Sequence, residues 1–167
     1  MRDARAVTIR PALAADAAQI ARIYNHYIET TVVTFEEQAV SPAEIAHRIA
    51  EVSATFPWLV AEADGAIAGY AYARSWQTRS AYRFSVESTV YLAPESTGRG
   101  IGSALYSALL ADLRTRGLHA VVGGIALPNE ASVALHEQLG FEKIAHLKEV
   151  GWKFGRWVDV GYWELVL

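Results

Sequence analysis

Hydrophobic and polar positions recur along this chain with two periods, and the switches between them mark its elements. Residues 7–10 alternate apolar and polar and read as a short strand. Over residues 14–28 the spacing lengthens, and Ile20, Ile23 and Tyr27 fall on one side of a helix. Ser41-Pro-Ala-Glu44 is a helix start, with Ser at the N-cap, Pro in the first position and Glu placed to close a capping box. Ile45, Ile49, Val52 and Phe56 then repeat at helical spacing. Two apolar runs, 58–63 and 66–73, flank Asp64-Gly65, a strong hairpin signal. Residues 83–92 predict a long strand, and 101–116 a helix ended by Gly117. Residues 119–126 are β-prone but weakened by Gly123-Gly124. Residues 129–139 form a short helix, with Asn129 as cap and Gly140 as stop. The tail, 150–167, predicts strands joined by a loop at Gly155-Arg156. These elements describe one α/β domain over residues 1–167, with a mixed, largely antiparallel sheet and helices on both faces.

Composition narrows what such a domain can do. Its 167 residues bury a sizeable core, and 52% hydrophobic content with five Trp and eight Tyr excludes a disordered chain. A net charge of −3 points away from nucleic acid and from an acidic membrane surface. The sequence has no bilayer-spanning apolar run and no signal-peptide pattern, so a cytoplasmic protein is expected. There is no cysteine, which excludes disulfides, thiolate metal sites and a cysteine acyl-enzyme. The Gly-x-Ser-x-Gly nucleophile elbow is also absent. The histidines lack metal-ligand spacing, so no metal is expected.

The most informative stretch is residues 90–106. A β-prone run ends at Pro94, three glycines follow at Gly98, Gly100 and Gly102, and an amphipathic helix begins at once. Glycines let backbone N–H groups approach a ligand closely, and the helix start adds partial positive charge, so the corner suits a phosphate or pyrophosphate. A dinucleotide fingerprint would need glycine where Ser103 stands, and a Walker A loop would need Gly-Lys-Ser/Thr. On spacing alone, a tight strand-to-helix turn without ligand remains open.

Pro94, the Gly-x-Gly-x-Gly series and the following helix resemble the acetyl-CoA loop of the GNAT acetyltransferases. Its pattern, Gln/Arg-x-x-Gly-x-Gly/Ala, aligns with Thr97-Gly98-Arg99-Gly100-Ile101-Gly102, Thr97 departing at the first position. Further segments extend the similarity almost end to end, among them Tyr24-Asn-His-Tyr-Ile-Glu-Thr30, Glu87-Ser-Thr-Val-Tyr91, Leu135-His-Glu137 and Gly155-Arg-Trp-Val-Asp-Val-Gly161. The chain looks nearest the phosphinothricin and methionine sulfoximine N-acetyltransferases. The resemblance implies a sheet whose two central strands splay apart to admit pantetheine. It also implies acetyl-CoA bound by Val90, Tyr91, Leu92, Gly98, Arg99, Gly100, Ile101, Gly102 and Ser103 with Asn129 nearby, and direct transfer to an amine in a ternary complex.

Several side chains carry the candidate chemistry. Glu87 lies mid-strand with Thr89 and Tyr91 on the face opposite Phe84, Val86, Val90 and Leu92. A carboxylate there is either exposed at an edge or buried with a raised pKa. The resemblance makes it the general base. It also places His136 at the pocket edge as an auxiliary or orienting base, and Arg79 and Tyr82 on the substrate carboxylate. Arg offers a bidentate fork for that purpose. Phe35 would supply an apolar wall, and Tyr106 the proton for the departing CoA thiolate. Gln77 stands where phosphinothricin enzymes carry Lys, which leaves the exact amine open. Another amino acid, a polyamine or a protein N-terminus are the alternative acceptors, and a non-catalytic acyl-CoA-binding module is the alternative class. Relatives of this kind pair as dimers, and the Trp-rich tail offers apolar surface for a homodimer.

Overall fold

The computed structural model describes residues 7–167; the first six, part of the expected 1–167 domain and of the stretch expected to lack a signal peptide, lie outside the described residues. β1 (Thr8–Pro11) leads through a 3-10 turn into α1 (Ala17–Thr30). α2 (Pro42–Ser53) begins as its sequence requires, with Ser41 accepting from the Glu44 amide at 3.1 Å and Pro42 in the first turn. The Glu44 carboxylate departs from the expected capping box and pairs with Arg48, one turn on, at 2.8 Å.

β2 (Trp58–Ala63) and β3 (Ala66–Ser75) form the expected hairpin. Asp64 and Gly65 hold φ of 55° and 76°, the mirror-turn conformation that matches strand twist. β4 (Ser85–Leu92), α3 (Ile101–Thr115), β5 (Ala120–Leu127) and α4 (Glu130–Gln138) follow, then β6 (Glu142–Lys153) and β7 (Arg156–Val166). β6 starts eight residues before the expected tail strand at 150. It is an edge strand largely exposed on both faces, so residues 142–149 show no clean apolar alternation.

Among the described residues, seven strands run in the order β1-β2-β3-β4-β5-β7-β6, and every pairing is antiparallel except β4 with β5. That parallel ladder is short, covering Ser85↔Ala120, Val86↔Val121 and Glu87↔Val122. Beyond Glu87, β4 continues on β3 as far as Leu92, while β5 continues on β7 as far as Leu127. The two central strands therefore part company in the middle of the sheet.

Helices cover both faces, as patterning predicts. α1 and α2 bury Ile20, Ile23, Ile45 and Ile49 against Trp58, Val60 and Tyr70. α3 buries Leu105, Leu109 and Leu113 against Leu59, Ala61, Ala71, Val86 and Val121 on the opposite face. Adjacent residues such as Val60 and Ala61 thus serve different cores, as the period of two demands. Among the described residues, no helix is long and apolar enough to cross a membrane.

Candidate active site

Where β4 and β5 separate, a cleft of about 1620 Å³ opens through the sheet. One end is the glycine corner. Gly98 and Gly100 adopt φ of 70° and 77°, and Gly100 caps α3 in the left-handed conformation. A Cβ at either position would meet nothing within 4 Å, so backbone conformation, not crowding within the chain, calls for glycine there. Val90, Tyr91, Leu92, Gly98, Gly100, Gly102, Ser103 and Asn129 line the cleft. Arg99 is exposed and Ile101 is packed in the core; neither side chain lines it. Asn129 is engaged locally, capping α4 by accepting from the Ser132 amide at 3.2 Å.

At the other end the cleft is walled by residues of α1, of the 31–41 connection, of α2 and of β3 and β4. Glu87 lies here, but it is neither buried nor alone. Arg74, directly opposite in the β3–β4 register, donates Nη2 and Nε to Glu87 Oε2 at 2.8 and 3.0 Å. The Glu87 side chain is 23% exposed and Arg74 58%. The deep burial expected of a base at this position is thus absent. A second ion pair joins Arg48 to Glu36 at 2.8 Å. Arg48 holds the Glu36 carboxyl below its ordinary range, burial opposing and the Tyr24 hydroxyl assisting.

Arg79 and Tyr82 are not brought to this cleft. They sit on the turn before β4, the guanidinium 5.3 Å from the Tyr82 ring centre, and neither lines the cavity. Among the described residues, Arg74 and Arg48 are the arginines that do line it. Sequence reading missed Arg74, although a register signal existed: residues facing Glu87 across an antiparallel neighbour share its face. Phe35 does line the cleft, at 40% exposure.

His136 lines the cleft while only 4% exposed. Gly123 makes room for it, since a Cβ there would stand 2.6 Å from His136 Nε2. The strand-weakening glycine pair of β5 thus has a packing reason, Gly124 likewise facing the Tyr162 ring. His136 Nδ1 lies 2.7 Å from the Ser132 carbonyl, an acceptor, so that nitrogen carries a proton and donates. Burial pulls the His136 pKa down, the Ser132 bond opposing, and favours a neutral ring. Nε2 is then an acceptor, and the Tyr106 hydroxyl donates to it at 3.1 Å. Ser88 Oγ in turn bonds the Tyr106 oxygen. Donation therefore runs Ser88 to Tyr106 to His136 to Ser132, and of these four Tyr106 alone does not line the cleft.

This polarity corrects the expected role of Tyr106. Its side chain is fully buried, burial raises its pKa, and its hydroxyl proton is committed to His136. It does not line the cleft and is not placed to protonate a thiolate directly.

Among the described residues, no group of three or more His, Asp or Glu is arranged to hold a metal ion. The cleft joins an anion-receptive backbone corner to a polar chamber with carboxylates, guanidinium groups and a buried hydroxyl chain. That combination suits transfer of a group from a phosphate-bearing donor to a small polar acceptor.

Residues 9–161 match the family model described as an acetyltransferase (GNAT) domain. The chain is 46% identical over 160 residues to a phosphinothricin N-acetyltransferase of Streptomyces viridochromogenes, covering 96% of this chain and 87% of that one. It is 38% identical to an L-methionine sulfoximine/L-methionine sulfone acetyltransferase of Salmonella typhimurium, covering 96% and 95%. A phosphinothricin acetyltransferase from Sinorhizobium meliloti, solved in complex with AcCoA, superposes with a TM-score of 0.93 at 40% identity, covering 96% of this chain and 88% of that one. The parted strands, the glycine corner and these matches lead to one conclusion: the chain belongs to the GNAT acetyltransferase family.

Proposed function

We propose that this protein moves the acetyl group of acetyl-CoA onto the α-amino group of a small amino-acid analogue of the phosphinothricin or methionine sulfoximine type. The observation that carries the reading is the cleft itself, with an anion-receptive corner at one end and the Arg74–Glu87 pair at the other. Relatives named for both substrates, one of them 46% identical, support it.

The pyrophosphate rests on the amides of Gly98 to Ser103, and pantetheine runs between the parted strands beside Val90, Tyr91 and Leu92. Arg74 takes the acceptor carboxylate in place of the more distant Arg79, exchanging part of its hold on Glu87 for a second carboxylate. Glu87, so released, removes a proton from the acceptor ammonium, and the free amine attacks the thioester carbon. The C–N bond forms, the tetrahedral adduct collapses, and the C–S bond breaks. Before that collapse the adduct nitrogen gives up a second proton to Ser88 Oγ, which passes its own along Tyr106 to His136. Once protonated, His136 donates through Nε2, the chain reverses, and Ser88 delivers a proton to the departing thiolate. No residue is acylated, so donor and acceptor occupy the cleft together.

We assign the protein to the cytoplasm and to a homodimer. The dimer reading is supported by the β6–β7 hairpin, which exposes Trp152, Phe154 and Trp157 at 53–58%.

The test is thiol release from acetyl-CoA with a panel of amino-acid and non-amino-acid amines. Turnover with methionine sulfone, methionine sulfoximine or phosphinothricin is the expected result. Acetyl-CoA binding without turnover of any amine would mark a binding module instead. Turnover confined to polyamines or peptides would remove the amino-acid assignment.

A further inference from the structure

We propose that the β6–β7 hairpin fixes the acceptor wall of the cleft, and that Lys153 is the positioning residue that does so; this rests on the acceptor end proposed above. The wall in question is the connection between α1 and α2, which lacks regular structure yet gives Val33, Thr34, Phe35 and Glu36 to the cleft. A connection of this kind ordinarily runs mobile over the surface. Here three contacts tie it to distant strands. Val32 is buried with Ala126 of β5 and Val158 of β7. The Phe35 ring lies so close on the backbone of Gly151 that a Cβ there would overlap it. Lys153 donates from Nζ to the Thr34 carbonyl at 2.9 Å, across 119 positions of sequence.

Lys153 is the informative member. It is 1% exposed, and its ammonium meets one carbonyl and the Phe154 ring, 5.0 Å away, with the Glu37 carboxylate near enough to favour its charge. Withdrawing an ammonium from water is costly, and these are a partial set of partners for three donors. A methionine would fill the same space at lower cost. What the lysine adds is a directed bond to the peptide that joins Thr34 to Phe35. With that peptide and the Phe35 ring both held, the acceptor wall keeps one shape before substrate arrives.

The experiment measures both Michaelis constants and kcat for Lys153→Met, Lys153→Arg and Gly151→Ala, with methionine sulfone as acceptor. Lys153→Met is expected to raise the acceptor KM about tenfold, the loss of one buried hydrogen bond. Acetyl-CoA KM should stay within about twofold, and Lys153→Arg should recover part of the loss. Gly151→Ala, which displaces Phe35 by a different route, should give the same split and carries the test if Lys153→Met fails to bind acetyl-CoA. An unchanged acceptor KM, or both constants rising together, overturns the positioning role. A wild-type protein inactive on every amino acid overturns the function proposed above; the same variants assayed with whichever amine is turned over then decide the wall.

Discussion

Arg74 and Glu87 face each other across the β3–β4 ladder, and the guanidinium gives two N–H groups to one carboxylate oxygen. The unengaged oxygen and the remaining N–H groups are what a zwitterionic acceptor needs. Glu87→Gln keeps the side chain's shape but removes its basicity. We expect kcat to fall by roughly 10²–10⁴ near neutral pH with acetyl-CoA affinity unchanged. Raising the pH should restore part of the rate as free amine accumulates. Steady-state kinetics across pH checks this, and near-wild-type turnover at pH 7 would remove Glu87 as the base.

Gly100→Val tests the donor corner. The position has φ of 77°, and its missing Cβ faces open space where the pyrophosphate is proposed to lie. A branched side chain strains the backbone by about 1–3 kcal/mol and fills that space. Calorimetry should detect no acetyl-CoA binding by a variant that still folds. Binding at wild-type affinity would move the cofactor elsewhere.

The buried hydroxyl chain depends on Gly123. Gly123→Ala must push the His136 ring aside, because the new carbon would lie 2.6 Å from Nε2. Overpacking of this kind costs about 1–3 kcal/mol. Urea denaturation should register that loss, and turnover should drop with it. An alanine variant of full stability and full activity would show that the ring's seat is not required.

His136 also predicts a pH dependence of stability. Its pKa in the fold is below the ordinary histidine value, so the unfolded chain takes up the proton first. The stability it contributes is present above about pH 6.5 and declines as pH falls toward the folded value. His136→Gln should lack that component of the decline. The lowered carboxyls of Asp16 and Glu36 act in the same direction, but their unfolded counterparts titrate near pH 4. Denaturation curves for both proteins between pH 5 and 8 check the difference, and parallel curves would contradict it.

The acceptor end and the neighbouring α2 face line the cleft with Glu36, Glu44, Glu51 and Glu87 against Arg48 and Arg74. This excess of carboxylates disfavours a further anion. Methionine sulfoximine, a zwitterion, should therefore have a higher kcat/KM than phosphinothricin, which adds a phosphinate, and salt should narrow the gap. Measured specificity constants at two ionic strengths test this. A preference for phosphinothricin would refute the charge argument.

Local chemistry in the sequence determined much of this molecule. Asp64-Gly65 can make its turn from two residues, Ser41-Pro42 can begin a helix, and Gly98 to Gly102 can turn a strand into one, because each device is satisfied by neighbours in the chain. The face of Glu87 was equally legible, since strand periodicity needs no partner. What the chain could not display is which distant groups those faces meet. Arg74 and Arg79 are both arginines near a strand, and only the β3–β4 register turns one to Glu87 and leaves the other on a turn. His136 does line the cleft as the resemblance implied, but Tyr106 read as a pocket residue until packing buried it behind that ring's hydrogen bond. Nothing beside Lys153 in the chain announces that it is enclosed and bonded to Thr34. Residues 142–149 of β6 escaped notice because an exposed edge strand buries too little to impose an apolar rhythm. Short-range bonds and periodicity are written in consecutive residues; burial and cross-chain pairing arise only when surfaces far apart in sequence are brought together.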